Sequence, residues 1–355
     1  MKSFYLYFIF LVLFGACKKD NNNDNDSDDT KYTKIAYTGS TTLSEARTGL
    51  VAATNGNKIF FAAGKAGINF SKTVDIYDAT TNLWTIAQLS VARSSLAAAA
   101  AGNKIVFAGG WNSSYSKTAD IFDVSSNTWT TAMLSEARDG LSATSIRNKI
   151  FFAGGYAGSG SYSKKVDIYD ASANTWTTAS LSEGRANLVA AAAGNKVLFA
   201  GGHNLTTYFK TVDIYDESSN TWTKAELSEA RSNLAAAALG DKIVFAGGYN
   251  VGSSKTVDIY DVSTNIWARA ELSEARYSLA ASTAGNKIVF AGGYNGGPSK
   301  TVDIYDVTTN TWSTTNLSQA SYQLAGGSAG NKLLFGGGLV PGTVTNVVDV
   351  FTLSK

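Results

Sequence analysis

Side chains that could do chemistry recur in this sequence at a fixed spacing, in seven runs of the type LSEAR. A guanidinium group binds carboxylates through paired hydrogen bonds, and a Glu two residues away could act as an acid or base on a bound sugar. The arginines are Arg47, Arg93, Arg138, Arg185, Arg231 and Arg276, with Ser321 in the seventh run. The glutamates are Glu45, Glu136, Glu183, Glu229 and Glu274. A catalytic group is rarely needed in every copy, so the recurrence favours a scaffold role, in which Arg ties neighbouring loops through its several donors.

Aromatic side chains cluster after a second recurring motif, the double Gly of FAGG-type runs. The position directly after the two glycines holds Lys65, Trp111, Tyr156, His203, Tyr249, Tyr294 and Leu339. The loops that begin there contain five more rings, Phe70, Tyr115, Tyr162, Tyr208 and Phe209. These loops also hold all the length variation among the copies, and such loops often carry binding. The rings predict a contact surface, and the open alternative is that they fold back as caps.

The composition offers few residues that could bind a metal ion through imidazole or thiolate groups. The chain has one His, His203, and one Cys, Cys17, whereas a zinc site depends mainly on those two residue types. We therefore expect no metal and no cofactor. His203 as a general base stays open, although a lone His in a loop is more often polar surface. With 30 basic against 28 acidic residues, no charge excess indicates nucleic acid.

These motifs must be positioned by a repeat, because the second Gly of each FAGG-type run recurs every 45 to 47 residues. Those glycines are Gly64, Gly110, Gly155, Gly202, Gly248, Gly293 and Gly338. Each unit predicts four strands: a small-residue run such as SNLAAAAL, the apolar KIVF, the alternating TVDIYD and the outer TWT. An Asp recurs in every third strand, at Asp75, Asp120, Asp167, Asp213, Asp258, Asp303 and Asp349. A period in the forties with several strands per unit predicts an all-β propeller of seven blades.

The units resemble kelch repeats, which have an Arg ahead of the first strand, a double Gly after the second, then Tyr, six residues and Trp. The resemblance covers about residues 43–351, with Ala63 in place of one Gly and Ser321 in place of the seventh Arg. It implies a kelch propeller over residues 31–355. The implied repeats lie at about 43–88, 89–133, 134–180, 181–226, 227–271, 272–316 and 317–355, the last completed by 31–42.

That completion is predicted because the seventh unit lacks an outer strand of its own. Its Trp position, seven residues after Phe351, would fall beyond Lys355. The segment KYTKIAYTGSTT, residues 31–42, is the predicted donor of the missing strand. Tyr37 lies one place off the Trp position, which allows a bulge. Closing the ring in this way protects an open sheet edge.

The resemblance also implies a site, because in peptide-binding kelch domains the Arg, the residue after it and the residue after the double Gly share a pocket mouth. Carried over, the candidates are Trp111, Tyr249, Tyr294, Arg93, Arg231, Arg276, Ser94, Asp139, Ser232, Tyr277 and Tyr322, and the same aromatic and Arg positions add Tyr156, His203 and Arg138. Rings beside guanidinium groups suit an acidic peptide or an anionic sugar. The main prediction is a binding module for a glycan, peptide or protein partner, and a purely structural role is the other non-enzymatic interpretation.

Two kinds of kelch-type enzyme are the enzymatic alternatives to a binding module. Copper-radical oxidases need a Tyr–Cys crosslink and at least two His ligands, which one His and one Cys do not supply. Kelch-type sialic acid mutarotases use Arg and carboxylate groups without metal, and they are the enzymatic alternative. In that alternative a LSEAR Glu with a raised pKa would be the acid or base.

The first residues resemble a bacterial lipoprotein signal. Lys2 precedes an apolar stretch from Phe4 to Phe14, which is too short to span a bilayer as a helix. Residues 1–16 are the expected signal peptide and Cys17 the lipidation site. Residues 17–30, rich in Asn and Asp, predict a disordered tether. We expect an exported monomer, held to the bacterial outer membrane only by its lipid anchor and open to surface display.

Overall fold

The computed structural model describes residues 34–354, which form seven sheets of four antiparallel strands each. The innermost strands are Val51–Asn55, Ala97–Ala101, Ser142–Ile146, Val189–Ala193, Ala235–Leu239, Ala280–Ala284 and Ala325–Ala329. The second strands are Lys58–Ala62, Lys104–Ala108, Lys149–Ala153, Lys196–Ala200, Lys242–Ala246, Lys287–Ala291 and Lys332–Gly336. The signal peptide, Cys17 and the tether predicted for residues 1–30 lie outside the described residues.

The outer half of each sheet contains the aromatic pairs. The third strands are Thr73–Asp78, Thr118–Asp123, Lys165–Asp170, Thr211–Asp216, Thr256–Asp261, Thr301–Asp306 and Val347–Ser354. The fourth strands are Leu83–Gln88, Thr128–Met133, Thr175–Ser180, Thr221–Glu226, Ile266–Glu271, Thr311–Asn316 and Lys34–Thr42. Four loops add two-stranded hairpins, Lys65–Ala66 with Asn69–Phe70, Tyr156–Gly158 with Ser161–Tyr162, Tyr249–Asn250 with Gly252–Ser253, and Leu339–Val340 with Thr343–Val344.

The residue types of each strand match its place in the sheet. Small residues line the crowded centre of the ring, and the KIVF-type strands are buried on both faces. Tyr and Trp stand opposite one another across the third and fourth strands, as Tyr77 and Trp84 do with ring centroids 5.1 Å apart. The turn between those strands contains an Asn in the left-handed conformation. Its side-chain oxygen accepts a hydrogen bond from the Tyr hydroxyl, and the distance from the Tyr77 hydroxyl to Asn82 Oδ1 is 2.8 Å.

The seven blades close into a ring. Each innermost strand contacts the next, and Ala325–Ala329 of the seventh blade contacts Val51–Asn55 of the first. Seven hydrophobic clusters form the core, one between each pair of neighbouring blades. The predicted all-β, seven-bladed propeller is thus confirmed, and its stability comes from burial between blades.

The seventh blade combines three strands from the C-terminal end of the described chain with one strand from its N-terminal end. Lys34–Thr42 pairs antiparallel with Val347–Ser354, and the register shifts between Tyr37 and Gly39, where a bulge was predicted to be possible. The Tyr37 ring meets Phe351 edge on at 5.7 Å. The predicted closure by the N-terminal strand is confirmed. In the part of the chain that the structure describes, no helix is long and apolar enough to cross a membrane.

Candidate functional site

The recurring arginines lie inside the blades and not on a surface. All six are fully buried, and each donates to the third-strand Asp of its own blade and to a second-strand Phe carbonyl. The Arg231 guanidinium lies 2.7 Å from Asp258 and 3.3 Å from the Phe245 carbonyl. This burial corrects the expectation that Arg93, Arg138, Arg231 and Arg276 contact a ligand, because their side chains expose no area to one.

Each Arg also joins two blades through its main chain. The second Gly of the preceding double Gly donates to the Arg carbonyl, as Gly202 does to Arg231 over 2.9 Å. The double Gly is required by conformation and by space: Gly248 has φ +118°, and a Cβ there would lie 3.0 Å from the Ser232 carbonyl. The LSEAR and FAGG motifs are therefore two halves of one joint between neighbouring blades.

The LSEAR glutamates belong to the same scaffold. In four blades the Glu accepts a short hydrogen bond from a Ser at the end of the Gly–Gly loop, as Glu229 does from Ser254. Burial acts to raise the pKa of Glu45, Glu229 and Glu274, but hydroxyl hydrogen bonds and the charge of the nearby Arg outweigh it, so the pKa of each is lowered. The expectation of a raised Glu pKa for acid or base catalysis is thus wrong for these three residues.

The residue after each Arg and the residue after each double Gly are paired by their main chains in all seven blades. The pairs are Thr48 with Lys65, Ser94 with Trp111, Asp139 with Tyr156, Ala186 with His203, Ser232 with Tyr249, Tyr277 with Tyr294, and Tyr322 with Leu339. The two loops that carry these residues therefore lie side by side on one face of the ring, which we call the Gly–Gly face. The structure brings the non-Arg candidates together on this face.

Ten of the rings on this face form a continuous series, which we call the aromatic arc. Its members, in order around the ring, are Trp111, Tyr115, Tyr156, Tyr162, His203, Tyr208, Tyr249, Tyr277, Tyr294 and Tyr322. Each ring contacts the next, with centroids 4.6 to 6.0 Å apart. All ten are half-buried. The rings therefore support one another, edge on or tilted, and still present part of their area to solvent, so they are both caps and surface.

The arc runs from the second blade to the seventh and is interrupted at the first. There Lys65 lies over the Phe70 ring at 6.0 Å, and Leu339 of the seventh blade carries no ring. Within the arc, burial lowers the pKa of His203, which favours the neutral imidazole. Its ring contacts Tyr162 and Tyr208, and its buried Nδ1 has no hydrogen-bond partner among residues 34–354 that would orient it as a general base.

The mouth of the central channel opens inside the arc, and it is formed by the second residue after each Arg position. These residues are Gly49, Ser95, Gly140, Asn187, Asn233, Ser278 and Gln323, and all have positive φ between 50° and 62°. The N–H of each donates to the carbonyl of its counterpart in the preceding blade, so seven hydrogen bonds of 2.9 to 3.4 Å close a circle. They surround a cavity of about 280 Å³.

Sequence reasoning missed this channel mouth. The available signal was the choice of Gly and Asn at the second position after the Arg, because both tolerate the left-handed region. Among residues 34–354, no group of three or more His, Cys, Asp and Glu could hold a metal ion.

A closed ring of seven four-stranded blades, joined by LSEAR and double-Gly motifs and bearing paired loops on one face, defines a propeller of repeated motifs. The chain belongs to the kelch-repeat family: the KLHDC2/KLHL20/DRC7 Kelch-repeats domain matches residues 95–274, and the Kelch motif matches residues 46–88 and 275–315. A search of curated proteins found no match to the chain. Kelch propellers are common protein-binding modules.

Proposed function

We propose that this chain is a binding module that holds a partner protein against the aromatic arc on its Gly–Gly face. The observation that carries the proposal is the arc itself, ten rings in unbroken contact across six blades. Tyr and Trp combine a large apolar area with a polar edge and few rotatable bonds, which is why they dominate the centres of protein interfaces.

The channel mouth supports the same face. Ser95, Ser278 and Gln323 hold a left-handed conformation that costs a residue with a Cβ about 1 kcal/mol or more, whereas Gly49 and Gly140 serve the same hydrogen-bonded circle without that cost. Polar side chains kept at strained positions beside a half-exposed aromatic surface favour a role in contact with a partner.

The two alternatives fare differently. A glycan could stack on the arc, so it stays as an outcome of the test. Metal-independent sugar catalysis has no specific observation in its favour, because the LSEAR arginines are buried and the pKa values of Glu45, Glu229 and Glu274 are lowered.

The test pans the full chain against a displayed peptide library and, in parallel, a glycan array. The variant Tyr249→Ala/Tyr277→Ala removes two neighbouring rings of the arc, with centroids 5.1 Å apart. The matched control Leu83→Ala/Ile86→Ala removes two exposed apolar side chains from the outer strand of the first blade, at 65% and 61% exposure. We expect enriched peptides to lose at least about tenfold in affinity with the arc variant and nothing with the control.

Peptide binding that survives the arc variant would overturn the choice of face. Binding of glycans alone, lost in the arc variant, would keep the face and replace the partner. In either case circular dichroism of the variants distinguishes a lost contact from a lost fold.

We further propose that the propeller is displayed from the cell envelope through a lipid on Cys17. Support comes from the sequence, in which the apolar stretch Phe4 to Phe14 leads to Gly15-Ala16-Cys17. Labelling cells with an alkyne fatty acid should tag the wild-type chain and leave Cys17→Ala untagged. A tag that persists in Cys17→Ala would contradict the anchor.

A further inference from the structure

One blade carries an acid in the arc. At the position after the Arg, the other six blades hold Thr, Ser, Ala, Ser, Tyr and Tyr, and the third blade holds Asp139. Asp139 is half-buried and stands directly opposite Tyr156, with main-chain hydrogen bonds of 2.8 and 3.1 Å between them. Cross-strand partners carry their side chains on the same side, so the carboxylate and the Tyr156 ring are neighbours.

Two further rings complete a cluster around this carboxylate. Tyr115 lies 5.4 Å from Tyr156, and Trp111 lies 4.6 Å from Tyr115. Tyr115 is held against the hairpin of the third blade, since a Cβ on Gly158 would come within 2.7 Å of its ring. The rings are therefore positioned before any ligand arrives.

Asp139 is the one acidic residue of the cluster, and among residues 34–354 it forms no salt bridge. Burial raises the pKa of Asp139. Burial, followed by the charges of Tyr156 and Asp139, raises the pKa of Tyr115. The nearest Arg in sequence, Arg138, is buried and pairs with Asp167 at 2.7 Å. A half-buried carboxylate among aromatic faces is stabilised by a cation, which gains from both.

We propose that Trp111, Tyr115, Asp139 and Tyr156 bind the guanidinium group of an arginine side chain on the partner protein. This inference rests on the proposed function. It reverses the charge of the expected ligand, because the sequence predicts an acidic peptide bound by surface arginines. Arginine fits better than other cations because its flat guanidinium group stacks on rings while it pairs with a carboxylate through two parallel hydrogen bonds.

The test is a titration that needs no knowledge of the partner. The full chain in detergent, labelled with 5-fluorotryptophan, is titrated with N-acetyl-arginine methylamide while the fluorine resonance of Trp111, assigned through Trp111→Phe, is followed. N-acetyl-citrulline methylamide, which has the same shape without the charge, is the comparison ligand. We expect a saturable shift with the arginine compound and binding about tenfold weaker for citrulline and for Asp139→Asn.

Leu83→Ala/Ile86→Ala, on the outer strand of the first blade and outside the arc, should leave the titration unchanged. Three outcomes would each overturn the arginine subsite: equal binding of both compounds, an Asp139→Asn variant that binds the arginine compound as tightly as the wild type, or no saturable shift. The two proposals fail separately: library peptides that depend on Tyr249 and Tyr277 but bind Asp139→Asn normally would keep the proposed function and remove the subsite.

Discussion

Adjacent residues at the Gly–Gly face differ in burial, and Arg276 and Tyr277 show the contrast. The Arg side chain is fully buried and bonded to Asp303, whereas the Tyr side chain that follows it is half-exposed and contacts two other rings of the arc. Alternation along extended backbone sends consecutive side chains to opposite sides. The residue type with the richer chemistry thus belongs to the scaffold, and the position that varies among blades carries the surface.

The largest expected effect comes from removing one of the buried arginines. Arg231→Ala leaves Asp258 buried without its cation and removes a hydrogen bond to Phe245, so it should cost about 3–5 kcal/mol of unfolding free energy. Tyr249→Ala, on the half-exposed side of the same blade, should cost about 1 kcal/mol. Urea denaturation measures both, and equal losses would erase the distinction between scaffold and surface.

A smaller effect is expected from restoring the Arg that the seventh blade lacks. In the seventh blade Ser321 replaces the Arg, and the Asp349 carboxylate is 3% exposed with one oxygen lacking a hydrogen-bond partner among the described residues. Since the Phe335 carbonyl lies fourteen positions on, as in the other blades, Ser321→Arg should regain about 2 kcal/mol at neutral pH. Ser321→Gln is the uncharged control.

This gain should depend on pH in a defined direction. Burial raises the pKa of Asp349, against hydrogen bonds from Ser318. A carboxyl group that binds its proton more tightly when folded loses stability as pH rises from the ordinary aspartate value of about 3.9 through its raised pKa. Ser321→Arg should therefore stabilise more at pH 7 than at pH 4, in urea melts at both values. A gain that does not change with pH would contradict an unpaired Asp349.

The smallest effect on stability is expected at the channel mouth. A change there tests most directly which residues serve the surface and not the scaffold. Ser95→Gly/Ser278→Gly relieves two left-handed residues but adds freedom to the unfolded chain, so unfolding free energy should change by less than about 1 kcal/mol. Binding of peptides selected on the wild type should nevertheless weaken. Gly49→Ala, which adds a Cβ at the same position of another blade, is the control. Unchanged binding would assign these side chains to the scaffold.

Much of the fold could be predicted because its motifs recur in six or seven units of the sequence. The double Gly and the Tyr–Trp spacing locate the blades, and the missing outer strand after Phe351 predicts closure by the N-terminal segment. The burial of the arginines could not be predicted from their own position, because each partner Asp is 27 to 29 residues away in sequence. The shared recurrence of Arg and Asp was the available signal.

The arc could be predicted only in part. The sequence predicts its members after the double Gly by position, and it shows Tyr115, Tyr162 and Tyr208 as further rings in the same loops. Their mutual contacts depend on loops of neighbouring blades that lie about 45 residues apart, which local patterns do not relate. The charge of the expected ligand was read from the arginines, and it changes because three-dimensional burial removes them from the face.

The circle of seven hydrogen bonds at the channel mouth has a consequence for variation. Because each bond joins main-chain atoms only, the residue type can differ among Gly49, Ser95, Gly140, Asn187, Asn233, Ser278 and Gln323 while all seven bonds are kept. Seven such positions arranged around one opening amount to a combinatorial surface. A library randomised there, restricted to residues that tolerate left-handed backbone, would let a single scaffold acquire new partners by selection.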